Sequence, residues 1–222
     1  DTATTEIYTN LNTLSLHDAL PIFDAAEGES SLLAAALGDA SALSRDELTS
    51  NAAVLLFGGI ETTEGMIANL LHHLLSTGLF AEVASDPVLL DNAIEESLRM
   101  EPAAAVLDRY ATANLELAGV AIPRGDLVIL SMASANRDEA LFADPDRFDP
   151  RRTNAKLHTT FATGPHVCLG MHLARLEARE AITGLARRLP ELQADAARPS
   201  QPHGLVFRKP PSIWATWHAN SA

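Results

Sequence analysis

The single cysteine of this 222-residue chain, Cys168, stands in the run Phe161-Ala162-Thr163-Gly164-Pro165-His166-Val167-Cys168-Leu169-Gly170, directly before a stretch with helical spacing. A thiol at a helix N-terminus meets the positive end of the helix dipole and unpaired backbone N–H groups. Both favour the thiolate and prepare it as a metal ligand or a nucleophile. Gly164 and Gly170 relieve backbone crowding on either side, as a loop lying flat against a planar group would need. Taken singly, a lone cysteine is more often a buried apolar residue than a ligand, and a metal-free thiol or redox site built from Cys168 and His166 is a further reading. Two other groups of residues could do chemistry. Glu61 and Thr62 follow the adjacent glycines Gly58-Gly59 inside an apolar stretch, where an acid needs a partner or a role such as proton transfer. Glu96 and Arg99 have the i, i+3 spacing that puts carboxylate and guanidinium on one helix face. On most helices such a pair is a solvated ion pair worth under ~1 kcal/mol.

These groups need elements to position them. Ser44-Arg45-Asp46-Glu47 is a capping box, and the spacing of Leu48, Ala52, Leu55, Met66, Leu70 and Leu74 continues it as one helix over about 44–77. It would span roughly 50 Å, with the destabilising pair Gly58-Gly59 near its centre. Asp86-Pro87 opens a second helix over about 87–100, closed by Pro102. Short strands over 115–117, 120–122 and 127–130, with turns at Gly119 and Pro123-Arg124-Gly125, read as a small antiparallel sheet. The segment 138–156 is rich in Asp, Pro and Arg and is either a long ordered loop or unstructured. The last helix runs from near Gly170 to before Pro190, with Ala174, Ala178, Ala181, Ile182 and Leu185 as its apolar face, and short strands follow around 204–208 and 213–217. Residues 1–23 show neither periodicity, and their string SLHDALPI resembles translated sequencing-adapter read-through. They are expected to lie outside the fold, as a foreign segment or as a disordered arm.

The segment 161–170 resembles the cysteine-ligand loop of the cytochrome P-450 superfamily, Phe-x-x-Gly-x-His/Arg-x-Cys-x-Gly, with Ala162 in place of the usual glycine after the phenylalanine. Glu96-Ser97-Leu98-Arg99 is similar to the family's Glu-x-x-Arg, Pro145-Asp146-Arg147-Phe148 to its Pro-x-Arg-Phe loop, and Gly58-Gly59-Ile60-Glu61-Thr62 to its oxygen-side helix motif. The resemblance extends from residue 26 to about 217 in unbroken order. It implies a mainly α fold with small β-sheets, of which 24–222 would be the C-terminal part of a single cytochrome P-450 domain truncated at its N-terminus.

By the same resemblance Cys168 would bind the iron of heme b (iron protoporphyrin IX) axially, donating electron density that favours O–O cleavage. Phe161, Gly164 and Gly170 would shape that loop, Gly58 and Gly59 would bring the long helix against the haem face, and a local opening of the helix ladder would admit dioxygen. His166 and Arg109 would meet haem propionates. Thr62 would hydrogen-bond dioxygen and Glu61 would relay protons. Glu96, Arg99 and Arg147 would form a buried structural triad locking the cysteine loop, while Ile60, Val106, Leu107, Leu205 and Val206 would face substrate. The implied activity is a bacterial haem-thiolate monooxygenase taking electrons from a ferredoxin-type partner and oxidising a small apolar organic molecule with O2. Arg175 and Arg179 would contribute a basic face for that acidic partner. The alternative is an inactive truncated haem-binding fragment or gene-model remnant.

Composition bounds these readings. A hydrophobic content of 47% with 20% charged residues is ordinary for a globular protein. One cysteine excludes an internal disulfide and a multi-thiolate zinc site, so a reducing cytoplasm is expected. Residues 1–98 hold one base, Arg45, against sixteen acids, and the net charge is −13. With no basic stripe carrying interleaved aromatics, nucleic acid is a poor partner. The longest apolar run, Ala52 to Ile60, falls short of the ~20 residues of a membrane helix, so no membrane span is expected.

Overall fold

A computed structural model of the chain describes residues 44–217. The acidic arm and the segment 1–23 therefore lie outside the described residues. The chain divides into two units at Thr62.

The long helix α1, Arg45–Ser76, begins on the expected capping box. Glu47 Oε2 accepts from both the Ser44 amide and its hydroxyl at 2.7 Å, and the Glu47 amide donates to Ser44 Oγ at 3.3 Å. The helix is continuous through Gly58-Gly59, so the expected opening of the ladder does not break α1. Instead Thr62 Oγ1 donates to the Gly58 carbonyl oxygen at 2.5 Å, a back-bond that competes with the helix's own donor for that oxygen.

In the unit beginning at Thr63, the end of α1 is a core helix. By length and composition Thr49–Ser76 could cross a membrane. However, Leu70 and Leu74 are fully buried, and the equally buried Asn69 donates through Nδ2 to the carbonyl oxygens of Glu101 (3.0 Å) and Arg208 (2.9 Å). Two short-range features then set the next helices. Helix α2, Phe80–Ser85, was not expected from the sequence; Phe80 and Val83 anchor it. Asp86 caps α3, Pro87–Met100, by accepting from the Val88 and Leu89 amides, which satisfies two of the helix's orphan donors.

Strand β1, Val106–Tyr110, pairs antiparallel with β4, Leu127–Ser131, in register Val106↔Ser131 to Tyr110↔Leu127. The hairpin of β2, Leu115–Leu117, and β3, Val120–Ile122, forms a separate sheet. The expected three-stranded sheet is therefore corrected: the third strand belongs to β1, whose Val-Leu-Asp-Arg-Tyr sequence lacks a clean alternation. A four-residue helix, α4, Met132–Ala135, follows. The segment 138–156 is the ordered loop of the two options, with Phe142, Phe148 and Arg152 buried. Helix α5, Met171–Arg188, buries Ala174, Ala178 and Ile182 against the core with Leu90, Ala93, Ile94 and Leu98 of α3. In the tail, the strand expected around 204–208 is an isolated bridge, Ala104↔Phe207, and a second bridge, His203↔Lys209, flanks it. Strand β6, Ala215–Thr216, pairs with β5, Gln193–Ala194.

Candidate functional site

Adjacent glutamates on α3 organise everything around the cysteine loop. Glu96 and Arg99 are both wholly buried, and the guanidinium forks onto the carboxylate, Nε to Oε2 at 2.8 Å and Nη2 to Oε1 at 2.9 Å. The third member of the triad is Arg152, not Arg147. Arg152 Nε donates to both Glu96 oxygens at 2.9 and 3.0 Å, and its remaining donors serve the carbonyl oxygens of Ala143, Asp144 and Arg147. Arg147 is exposed, pairing with Asp149 at 3.1 Å, and contributes only its backbone to the cluster. The motif located the loop, but three arginines lie within six residues there, and it is Arg152 that points inward. The arrangement satisfies a buried carboxylate with two cations and the Asp149 amide at 3.1 Å, the condition under which burying such charge is tolerated.

From this triad a chain of hydrogen bonds runs to the cysteine loop. Arg99 Nη1 donates to the Asn136 carbonyl oxygen at 2.9 Å, and the buried Asn136 side chain bonds both Thr159 (amide to Oδ1, 2.8 Å) and Thr160 (Nδ2 to Oγ1, 2.8 Å). Thr160 Oγ1 in turn donates to the Leu98 carbonyl oxygen of α3 at 2.7 Å. Thr159 and Thr160 lead directly into Phe161.

The loop itself is closed by the Cys168 amide donating to the Phe161 carbonyl oxygen at 2.9 Å. Gly164 and Ala162 adopt φ of +74° and +57°. Gly164 thus needs its glycine, whereas Gly170 caps α5 at φ −83° and needs none on that account. Cys168 is exposed, two residues before the α5 N-cap. Its thiol is therefore not a core residue, which removes the commonest alternative for a lone cysteine. His166 ends the short 3-10 turn Gly164–His166 and is also exposed. Arg109 on β1 is exposed and donates to the Asp108 carbonyl oxygen at 2.8 Å, with no carboxylate partner among the described residues. Of the four apolar residues expected to face substrate in this unit, Val106 and Val206 lie on neighbouring segments. Ala105, just before Val106-Leu107, donates its amide to the Val206 carbonyl oxygen at 2.8 Å, and Leu205 beside it is 84% exposed. In the other unit Glu61 is buried, while Gly58, Gly59 and Ile60 are exposed, and a Cβ on either glycine would meet nothing within 4 Å.

The family model for cytochrome P-450 matches residues 85–214, more than half of the chain. This chain is a cytochrome P-450. The P-450 monooxygenase PikC of Streptomyces venezuelae is 42% identical over 177 residues, 79% of this chain and 41% of the relative. The 20-oxo-5-O-mycaminosyltylactone 23-monooxygenase of Streptomyces fradiae is 41% identical over 68% of this chain and 36% of its own length. Among solved structures, the P-450 enzyme CYP109B1 of Bacillus subtilis superposes with a TM-score of 0.78 at 36% identity, over 88% of this chain and 54% of that one. The fold is therefore the cytochrome P-450 fold, mainly helical with small sheets, and the chain spans about two-fifths of the length of these curated relatives.

Members of this family carry haem through a cysteine thiolate, and the residues of this P-450 fit that group. The only thiol is presented at the surface of a loop closed on itself ahead of a helix N-terminus, and a Cβ at Gly164 or Gly170 would meet no atom within 4 Å. That is open space at the two glycines on either side of a single soft donor, which suits iron in a planar ring.

The expected basic face is corrected. Arg175 is bound through two nitrogens to Glu95, and Arg179 pairs with Asp91 at 2.6 Å. These four line a groove of about 400 Å³ together with Lys156 and His172, so its charge is mixed. Arg152, Asn136, Glu95 and His158 escaped sequence reasoning. The sequence signal available for Glu95 was its place next to Glu96, about 100° round the same helix.

Proposed function

We propose that these residues form the haem-binding part of a cytoplasmic monooxygenase that inserts one oxygen atom of O2 into a small apolar organic substrate, with electrons delivered by a ferredoxin-type partner. The observation that carries this reading is the exposed thiol of Cys168, at the end of a loop whose closure and anchoring use internal hydrogen bonds. Heme b is the group proposed for it; when bound it supplies oxygen activation, one atom passing to the substrate and the other leaving as water with two electrons and two protons. The chain's own residues divide the remaining tasks. Cys168, ahead of the α5 N-terminus, is the residue proposed to hold the iron. His166 and Arg109 are the donors proposed for the two propionates, and Arg109 has no carboxylate partner among the described residues. Glu61 and Thr62 are proposed to hand protons inward, an acid and a hydroxyl in sequence on one helix. Val106, Leu107, Leu205, Val206 and Ile60 supply apolar surface, favouring substrates that leave water readily.

The test is spectroscopic. Haem-supplemented protein, reduced and exposed to carbon monoxide, is expected to give the red-shifted Soret band of thiolate ligation, and Cys168→Ser to lose it. Identical absorbance from both would leave the metal-free thiol reading in place.

A further inference from the structure

Three elements converge on one carboxylate beside the cysteine loop. Glu95 of α3, with its side chain 6% exposed, accepts from Arg175 Nε at 2.6 Å, Arg175 Nη2 at 2.9 Å and His158 Nε2 at 3.1 Å. The Thr160 amide donates to His158 Nδ1 at 3.2 Å, so Nε2 is the nitrogen that carries the proton toward Glu95. These two donors bracket Phe161. The Arg175 guanidinium lies over its ring at 4.6 Å, and the His158 ring is tilted against it at 5.9 Å. Arg175 also reaches back to the Met171 carbonyl oxygen in the first turn of α5 at 3.2 Å. The side chain of Phe161 is thus held on two sides while its carbonyl oxygen closes the turn onto the Cys168 amide. Burial alone would raise the Glu95 carboxyl, but the hydrogen bonds from His158 and Arg175 outweigh it and hold the group at about 2. Glu95 is therefore an anion at neutral pH that cancels the charge of the cation stacked on the loop's first residue.

We infer that Glu95, acting through Arg175 and His158, is a positioning residue that fixes the Phe161–Cys168 turn and keeps the charge beside it balanced, and thereby sets the electron affinity of iron held by Cys168; this rests on the haem-thiolate reading. No hydrogen bond joins any of the three to Cys168, so their effect is transmitted through Phe161 and through space.

The experiment measures the reduction potential of the haem-loaded protein, with the reduced carbon monoxide spectrum recorded on the same samples. Glu95→Gln leaves Arg175 uncompensated beside the loop, and the potential should shift upward because a nearby cation favours the added electron. Arg175→Gln leaves the carboxylate uncompensated, and the shift should be downward. Both break the same ion pair, so both should lower stability, and the double variant should return the potential toward that of the unaltered protein. Opposite shifts in potential with the same sign of stability change are the expected result. Shifts of one sign in both variants, or none, would mean a merely structural pair and overturn the inference. His158→Leu keeps the ion pair and removes one donor, which provides a milder variant if the others do not fold. It should lose part of the red-shifted band, and an unchanged spectrum would count against positioning. Unaltered protein without the red-shifted band sinks the thiolate reading, whereas the band with unmoved potentials in the variants sinks only the role of Glu95.

Discussion

Replacing Arg152 by Met should be among the most damaging single changes in the chain, and replacing Arg147 by Met among the mildest. Arg152 Nε is shared between both oxygens of Glu96, a carboxylate with no solvent exposure, and its terminal nitrogens satisfy three backbone carbonyl oxygens. Met restores much of the volume but none of the donors. Removing one partner of a buried ion pair costs about 3–5 kcal/mol, because the other charge stays buried without enough compensation. Arg99 and the Asp149 amide remain on Glu96, which keeps the expected loss inside that range. Arg147, 68% exposed and paired to Asp149, falls in the class of surface pairs worth about 0–1 kcal/mol. For a chain of this size a loss of 3–5 kcal/mol lowers the melting temperature by roughly 6–20 °C. Urea denaturation followed by circular dichroism, with midpoint and slope fitted separately, measures both variants on one scale. Equal losses from Arg147→Met and Arg152→Met, or a near-neutral Arg152→Met, would refute the assignment of the triad.

Two further predictions concern the core. His73 stacks on Phe148 at 4.9 Å with Nδ1 3.0 Å from Ser97 Oγ, and burial, reinforced by His72, Arg137 and Arg99, lowers its pKa to about 3. Its folded pKa lies below the unfolded value of about 6.5, so the unfolded chain takes the proton first. This part of the stability is complete above about pH 6.5 and is lost as the pH falls toward 3, with a slope of at most ~1.4 kcal/mol per pH unit. His73→Phe should flatten the profile between about pH 4 and 6, and parallel profiles for the two proteins would contradict this. A Cβ on Gly65 would sit 3.0 Å from the Ala103 Cβ and 3.7 Å from that of Lys209. Gly65→Val should therefore destabilise by about 1–3 kcal/mol, with Ala103→Gly in the same chain restoring part of the loss; a neutral Gly65→Val in urea denaturation would show that the helix can move away.

What could be read from the residues was local. The capping box at Ser44, the Asp86-Pro87 start and the pattern ending at Gly170 each act within a few residues, so α1, α3 and α5 emerged within a residue or two of their observed bounds. Cys168 was legible for the same reason, as a run of ten residues. The failures are all long-range choices. Arg152 and Arg147 are chemically identical, and only the path of the 138–156 loop across α3 selects between them. Strand β4 could pair with β3 or with β1, and the winner is fixed by the Ala105 amide bonding Val206 and its carbonyl oxygen accepting from Ala133, contacts no window of sequence contains. Arg175 looked like an exposed base on a helix; its partner Glu95 lies eighty positions earlier. Gly65 was overlooked for Gly58-Gly59, although it is the helical glycine with a close neighbour.

Glu95 and Glu96 are consecutive on α3, so their side chains leave the helix about 100° apart, one toward the clamp on Phe161 and the other toward the triad. The insertion or deletion of one residue between Asp86 and Glu95 would swing both carboxylates away from their cations at once. A change in the length of this stretch of helix therefore disturbs both networks together. Lineages altering one are constrained to preserve the helical phase that serves both, which leaves point substitution, and not length change, as the route by which this part of the molecule can diversify.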